Sequence, residues 1–103
     1  MHRMDAPLAK ATRELRKRFD YSQKDLARRL GIGHAYLCNL EKGRHTYSSI
    51  HIIRSLSAIY GFDVYLYAAV TFVPLNWYAK ELRPHILEMR AAMEGLIRKQ
   101  LGE

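Results

Sequence analysis

The side chains able to do chemistry gather in one run, YSQKDLARRLGIGHAYLCNLEKGR, from Tyr21 to Arg44. His34 and Cys38 stand four apart, the spacing of two ligands on one helical face. A metal needs three or four ligands, and His45, His51 and His85 repeat no such pattern. No metal or other cofactor is therefore expected, and Cys38 reads as an inert buried-type thiol, with a redox switch as the lesser alternative. There is no Cys/His/Asn set, no phosphate-cradling glycine loop and no obvious carboxylate pair, so an enzyme is not expected. What remains is hydrogen bonding and charge: an imidazole, a carboxamide and a set of cations.

These groups need elements to hold them. Ser22 suits a helix N-cap, and Asp25, three residues on, stands at the capping-box position. Leu26, Ala27 and Leu30 recur at helical spacing. Gly31 stops that helix, because glycine enters the left-handed conformation cheaply. A second helix is expected from about His34 to Lys42, with Leu37 and Leu40 inward and Gly43 at its end. Two such helices joined by a short glycine turn make a helix-turn-helix. The second helix projects polar side chains, and an α-helix fits the major groove of B-DNA.

The charge supports a polyanion partner. The 103 residues carry seventeen Lys and Arg against ten Asp and Glu, a net of +7. Residues 1–44 hold eleven cations and five anions, so +6 of that charge lies on the half bearing the helix-turn-helix. This is the electrostatic footprint of nucleic-acid binding. A single cysteine leaves no internal disulfide framework and fits a reducing cytoplasm. The N-terminus has no apolar core of a signal peptide, and the apolar stretch 64–75 is too short for a membrane helix.

The rest of the chain divides around this motif. A first helix is expected from Asp5 or Pro7, with Leu8, Ala11, Leu15 and Phe19 as its stripe and the cations of ELRKR on its other faces. Ser48 or Ser49 would cap a fourth helix, burying Ile50, Ile53, Leu56, Ile59 and Tyr60 and ending at Gly61. The segment FDVYLYAAVTFV then alternates Val64, Leu66, Ala68 and Val70 against Tyr65, Tyr67 and Ala69. This is a strand pattern, the rival reading being a short buried fifth helix. A lone strand lacks a ladder partner, so it is expected to pair antiparallel with its copy in a homodimer. Beyond Pro74 and Pro84 the chain turns helical again. Leu82, Ile86, Met89, Met93 and Leu96 step by four, three, four and three, an a/d-like seam. The expected dimer contacts are thus Val64, Leu66, Ala68, Val70, Ile86, Met89, Met93 and Leu96.

The run SQKDLARRLGIGHAYLCNLEKGR, followed by a helix ending IYGF, resembles the lambda-repressor-like helix-turn-helix proteins of the Xre/Cro type over about residues 12–62. The resemblance implies a mainly α fold: a four- to five-helix lambda-repressor-like bundle, here with a C-terminal strand replacing the fifth helix and a C-terminal helix. Residues 1–62 would be the DNA-binding domain and 63–103 a dimerisation or partner-binding extension. The partner implied is double-stranded DNA, with no membrane, and the role a homodimeric repressor of an inverted repeat. The departure at the fifth helix resembles the antitoxin-like branch, in which a C-terminal strand pairs across the dimer; the alternative roles are an antitoxin whose extension grips a toxin, and a protein-interaction module that keeps the fold without binding DNA. By position in the family, His34, Ala35 and Asn39 reach base edges. Asn bonds bidentately to adenine, His donates to guanine or phosphate depending on tautomer, and Ala supplies a methyl contact. Ser22 and Gln23 meet a phosphate at the helix start; Tyr36, Lys42, Arg44, His45 and Tyr47 clamp the backbone. Arg28 and Arg29 are further candidates. Glu41 would repel phosphate, and the resemblance implies a buried ion pair with Arg16.

Overall fold

A computed structural model describes residues 4–44 and 50–103. The described chain forms α1 (Asp5–Arg18), α2 (Gln23–Leu30), α3 (His34–Glu41), α4 (Ile50–Tyr60), α5 (Val64–Thr71) and α6 (Arg83–Gln100), with single 3-10 turns at Leu75–Trp77 and Lys80–Leu82. The expected caps at Ser48 and Ser49, and the side chains of His45 and Tyr47, lie outside the described residues.

Local chemistry sets the helix ends. Ser22 Oγ accepts the amide of Asp25 at 3.0 Å and starts α2. Gly31 takes φ +70° and lets the Ile32 amide return to the Ala27 carbonyl at 3.0 Å. That left-handed step closes α2 and turns the chain into α3 within three residues. Leu26 and Ala27 of α2 and Leu37 of α3 are buried together with Leu8, Ala11 and Leu15 of α1, and Leu40 of α3 is buried as well.

The segment expected to be a strand is helix α5. Asp63 is its N-cap, and Asp63 Oδ1 accepts the Leu66 amide at 3.1 Å. Ser57 Oγ accepts the Val64 amide at 3.0 Å and ties the helix start to α4. Val64, Tyr67 and Ala68 fall at helical spacing and are buried, as is Val70, chiefly where α5 lies along α1. The β-preferring residues follow the cap and the available core, because tertiary packing overrides strand propensity. Among the described residues there is no strand. Pairing of Val64, Leu66, Ala68 and Val70 across a dimer as a ladder is thereby removed; Val64, Ala68 and Val70 belong to this subunit's own core, and Leu66 packs against it half-buried.

One core runs from α1 to α6, with Met93 and Ile97 of α6 joining the leucines of the first helices. A line of rings crosses it: Phe19 lies 4.8 Å from Tyr60, Tyr60 6.3 Å from Phe62, and Phe62 6.0 Å from Tyr67. The Tyr60 side chain is buried, and its hydroxyl has no hydrogen-bond partner among the described residues. Burial pushes that hydroxyl's pKa up. The last third of the chain is fastened to α5. Tyr78 Oη donates to the Ala69 carbonyl at 2.6 Å, and Arg90 Nε donates to the Val70 carbonyl at 2.7 Å. These are orphan acceptors at the helix C-terminus. Arg18 at the end of α1 reaches Glu94 of α6 at 2.8 Å. No helix among the described residues is long and apolar enough to cross a membrane.

The a/d-like seam of the C-terminal helix splits in space. Met93 is buried and Ile86 half-buried against the core, whereas Leu82, Met89 and Leu96 are exposed. A stripe with steps of three and four covers about a third of a helix surface, and only one flank of it fits the subunit.

Candidate nucleic-acid interface

Helix α3 buries Leu37, Leu40 and Glu41. His34, Cys38 and Lys42 follow one another at four-residue spacing, and Ala35 and Asn39 do the same on the adjoining strip of the helix. His34, Ala35, Tyr36, Lys42 and Arg44 are exposed, and Cys38 and Asn39 half-buried. Of the residues expected to face bases, His34 and Ala35 are thus exposed and Asn39 is half-buried on adjoining strips of α3.

Behind that surface runs a hydrogen-bonded chain that fixes α1, α2 and α3 to one another. Arg16 Nε donates to Glu41 Oε2 at 2.7 Å and Arg16 Nη2 donates to Glu41 Oε1 at 3.1 Å, a two-pronged pair. The Arg16 side chain is 14% exposed and that of Glu41 3%. Gln23 Nε2 donates to the same Oε1 at 3.1 Å, and Arg16 Nη1 donates to the Tyr21 carbonyl at 3.1 Å. Gln23 Oε1 in turn lies 3.1 Å from His34 Nε2. The Glu41 charge is thus spent inside the protein, where it holds the helix angle instead of repelling phosphate.

A cleft of about 250 Å³ opens beside this chain, walled by Arg13, Arg16 and Lys17 of α1, Gln23 of α2, and Cys38, Glu41 and Lys42 of α3. With Arg16 and Glu41 neutralising each other, the cleft keeps the charges of Arg13, Lys17 and Lys42. It adjoins the N-terminus of α2, where Ser22 and Gln23 stand and backbone amides point outward. Arg13 and Lys17, which line this cleft, are not among the contacts expected from the sequence. Their four-residue spacing in RELRK, on the side of α1 away from Leu8, Ala11 and Leu15, is the signal that sets them together. Arg28 and Arg29 lie elsewhere: Arg28 pairs with Asp25 at 2.6 Å, and Arg29 sits 4.9 Å above the Tyr21 ring. No three His, Cys, Asp or Glu side chains gather as a metal would require among the described residues.

Residues 13–77 match the helix-turn-helix family model. The chain belongs to the lambda-repressor-like helix-turn-helix family. The match runs from within α1 through α5 to the first 3-10 turn. It thus includes the helix that stands where a strand was expected. No curated protein and no solved structure matches the chain. Lambda-repressor-like proteins are DNA-binding regulators, and the surface described here has the two parts such binding needs: polar groups on an outward helix and cations beside it.

Proposed function

We propose that this protein is a sequence-specific double-stranded DNA-binding regulator of transcription, acting as a homodimeric repressor of an inverted-repeat operator. The observation that carries the reading is the outward face of α3, with His34, Ala35 and Asn39 held on adjoining strips above the Arg16–Glu41–Gln23 chain and beside the basic cleft. The helix would enter the major groove, where Asn39 reads adenine and Ala35 meets an apolar edge. Ser22, Gln23, Tyr36, Lys42 and Arg44, with Arg13 and Lys17, would hold the phosphates. Those contacts set register and orientation. Repression by occluding polymerase suits a chain whose described residues are taken up by one helical core.

The homodimer places two such helices about one helical turn apart. Its surface is the exposed flank of α6. Leu82, Met89 and Leu96, seven apart, with His85 and Ala92 between them, are all exposed. Two copies crossing antiparallel at Met89 would set Leu82 against Leu96 of the second copy. Glu81 would then approach Lys99 of that copy. A parallel pair would oppose like charges at both ends, which is unfavourable. Glu81 and Lys99 have no ionic partner among the described residues.

Site selection from random duplexes, followed by anisotropy titrations, tests the function. An inverted repeat is expected. Asn39→Ala should lose about 1–3 kcal/mol of discrimination at one base pair, whereas Lys17→Ala should weaken all sequences and flatten the salt dependence. No duplex binding at low salt would refute the reading.

A further inference from the structure

Helix-turn-helix geometry says which side chain meets the DNA; the hydrogen-bond chain behind α3 also says which chemical sense one of them has. Glu41 is a carboxylate paired with Arg16, and its oxygens only accept. The part of the Gln23 amide that faces Glu41 Oε1 at 3.1 Å must therefore be the NH2. That fixes the amide the other way round at its far side, so Gln23 Oε1 points to His34, 3.1 Å from Nε2. A carbonyl oxygen also only accepts, so Nε2 must carry the proton. A neutral imidazole has one N–H, and Nδ1 is left with its lone pair. The described residues offer Nδ1 no partner, and His34 is exposed.

We infer that His34, in the neutral form of its ring, presents a hydrogen-bond acceptor to DNA, and so selects a base carrying an exocyclic amine, adenine or cytosine, over guanine. In the major groove the donors are adenine N6 and cytosine N4, while guanine shows only the acceptors N7 and O6. The chain Arg16 to Glu41 to Gln23 to His34 transmits this sense from one fixed charge to the base edge. Arg16 sets it, because the guanidinium cannot lose its proton and so keeps Glu41 an acceptor. Gln23 is a positioning residue here, turning one ring of the recognition helix into a reader of donors. The inference rests on the proposal that α3 reads bases.

Two measurements decide it. Long-range nitrogen–proton NMR on the full chain, at a pH where the His34 ring is neutral, should show the Nε2–H tautomer; the Nδ1–H tautomer would overturn the inference. On the selected operator, replacing the base at the His34 position by its analogue lacking the exocyclic amine should weaken wild-type binding about tenfold, and in His34→Ala that penalty should vanish. The matching penalty at the adenine read by Asn39 should persist in His34→Ala. A loss caused instead by removing purine N7 at the His34 position, with none on removing the amine, would overturn it. If selection recovers no site, the DNA reading fails and the NMR result still decides the polarity of the ring.

Discussion

Replacing Glu41 with Ala should strongly destabilise this protein. The side chain is 3% exposed and takes three hydrogen bonds, from Arg16 Nε at 2.7 Å, Arg16 Nη2 at 3.1 Å and Gln23 Nε2 at 3.1 Å. Its loss strands the Arg16 guanidinium, 14% exposed, with only the Tyr21 carbonyl. Breaking a buried pair from one side costs about 3–5 kcal/mol, because the remaining charge stays desolvated. For a chain near a hundred residues, about 3 kcal/mol lowers Tm by on the order of 12–20 °C. Thermal unfolding followed by far-ultraviolet circular dichroism reads this directly. A double variant, Arg16→Met with Glu41→Leu, should recover most of the loss, since an apolar pair of similar volume removes the stranded charge. A fall in Tm of less than about 4 °C for Glu41→Ala, roughly 1 kcal/mol, would refute the account of Glu41 as the joint between α1 and α3.

The remaining predictions concern single groups. Tyr60→Phe removes a buried hydroxyl without a partner, so chemical denaturation should show unchanged or higher stability, by up to about 1 kcal/mol; a clear loss would mean the hydroxyl is bonded. Arg18, by hydrogen bond and charge, holds the Glu94 carboxyl below its ordinary pKa of 4.5. A lowered folded-state value stabilises above the unfolded pKa and is lost as pH falls through the folded one. Glu94→Gln should therefore cost a little stability at neutral pH, under about 1 kcal/mol because the pair is partly exposed, and nothing once acid has protonated wild-type Glu94. Met89→Glu should convert a dimer to a monomer in sedimentation equilibrium with unaltered helix content. An unchanged mass would move the two-fold contact away from α6.

The sequence made the helix-turn-helix legible because its signals are local. Ser22 caps, Gly31 turns, and the leucines at helical spacing need no knowledge of the rest of the chain. The Arg16–Glu41 pair was reachable only by family resemblance, since 25 residues separate its members. Helix α5 has the sequence pattern of a strand for a physical reason: Val, Tyr and Phe suit both a pleated sheet and a fully buried helix. The discriminating feature is Asp63, placed three residues before Leu66 and two after the Gly61 stop. The α6 seam was seen as a stripe, but periodicity does not say which flank meets the core, so Met93 and Met89 were expected to act alike and do not. The chemical sense of His34 depends on Gln23 and Glu41 together, and no single spacing in the chain encodes it.

The two donors at the end of α5 have a consequence for how this chain could be shortened. Tyr78 and Arg90 close the carbonyls of Ala69 and Val70 from outside the family-matched core or at its very edge. A chain cut after residue 77 would leave both oxygens bare and would strip Met93 and Ile97 from the apolar interior they complete. The tail is thus the last course of masonry, set over a wall that would weather without it, and a minimal fragment drawn at the edge of the recognised domain would be a poorer fold than the whole.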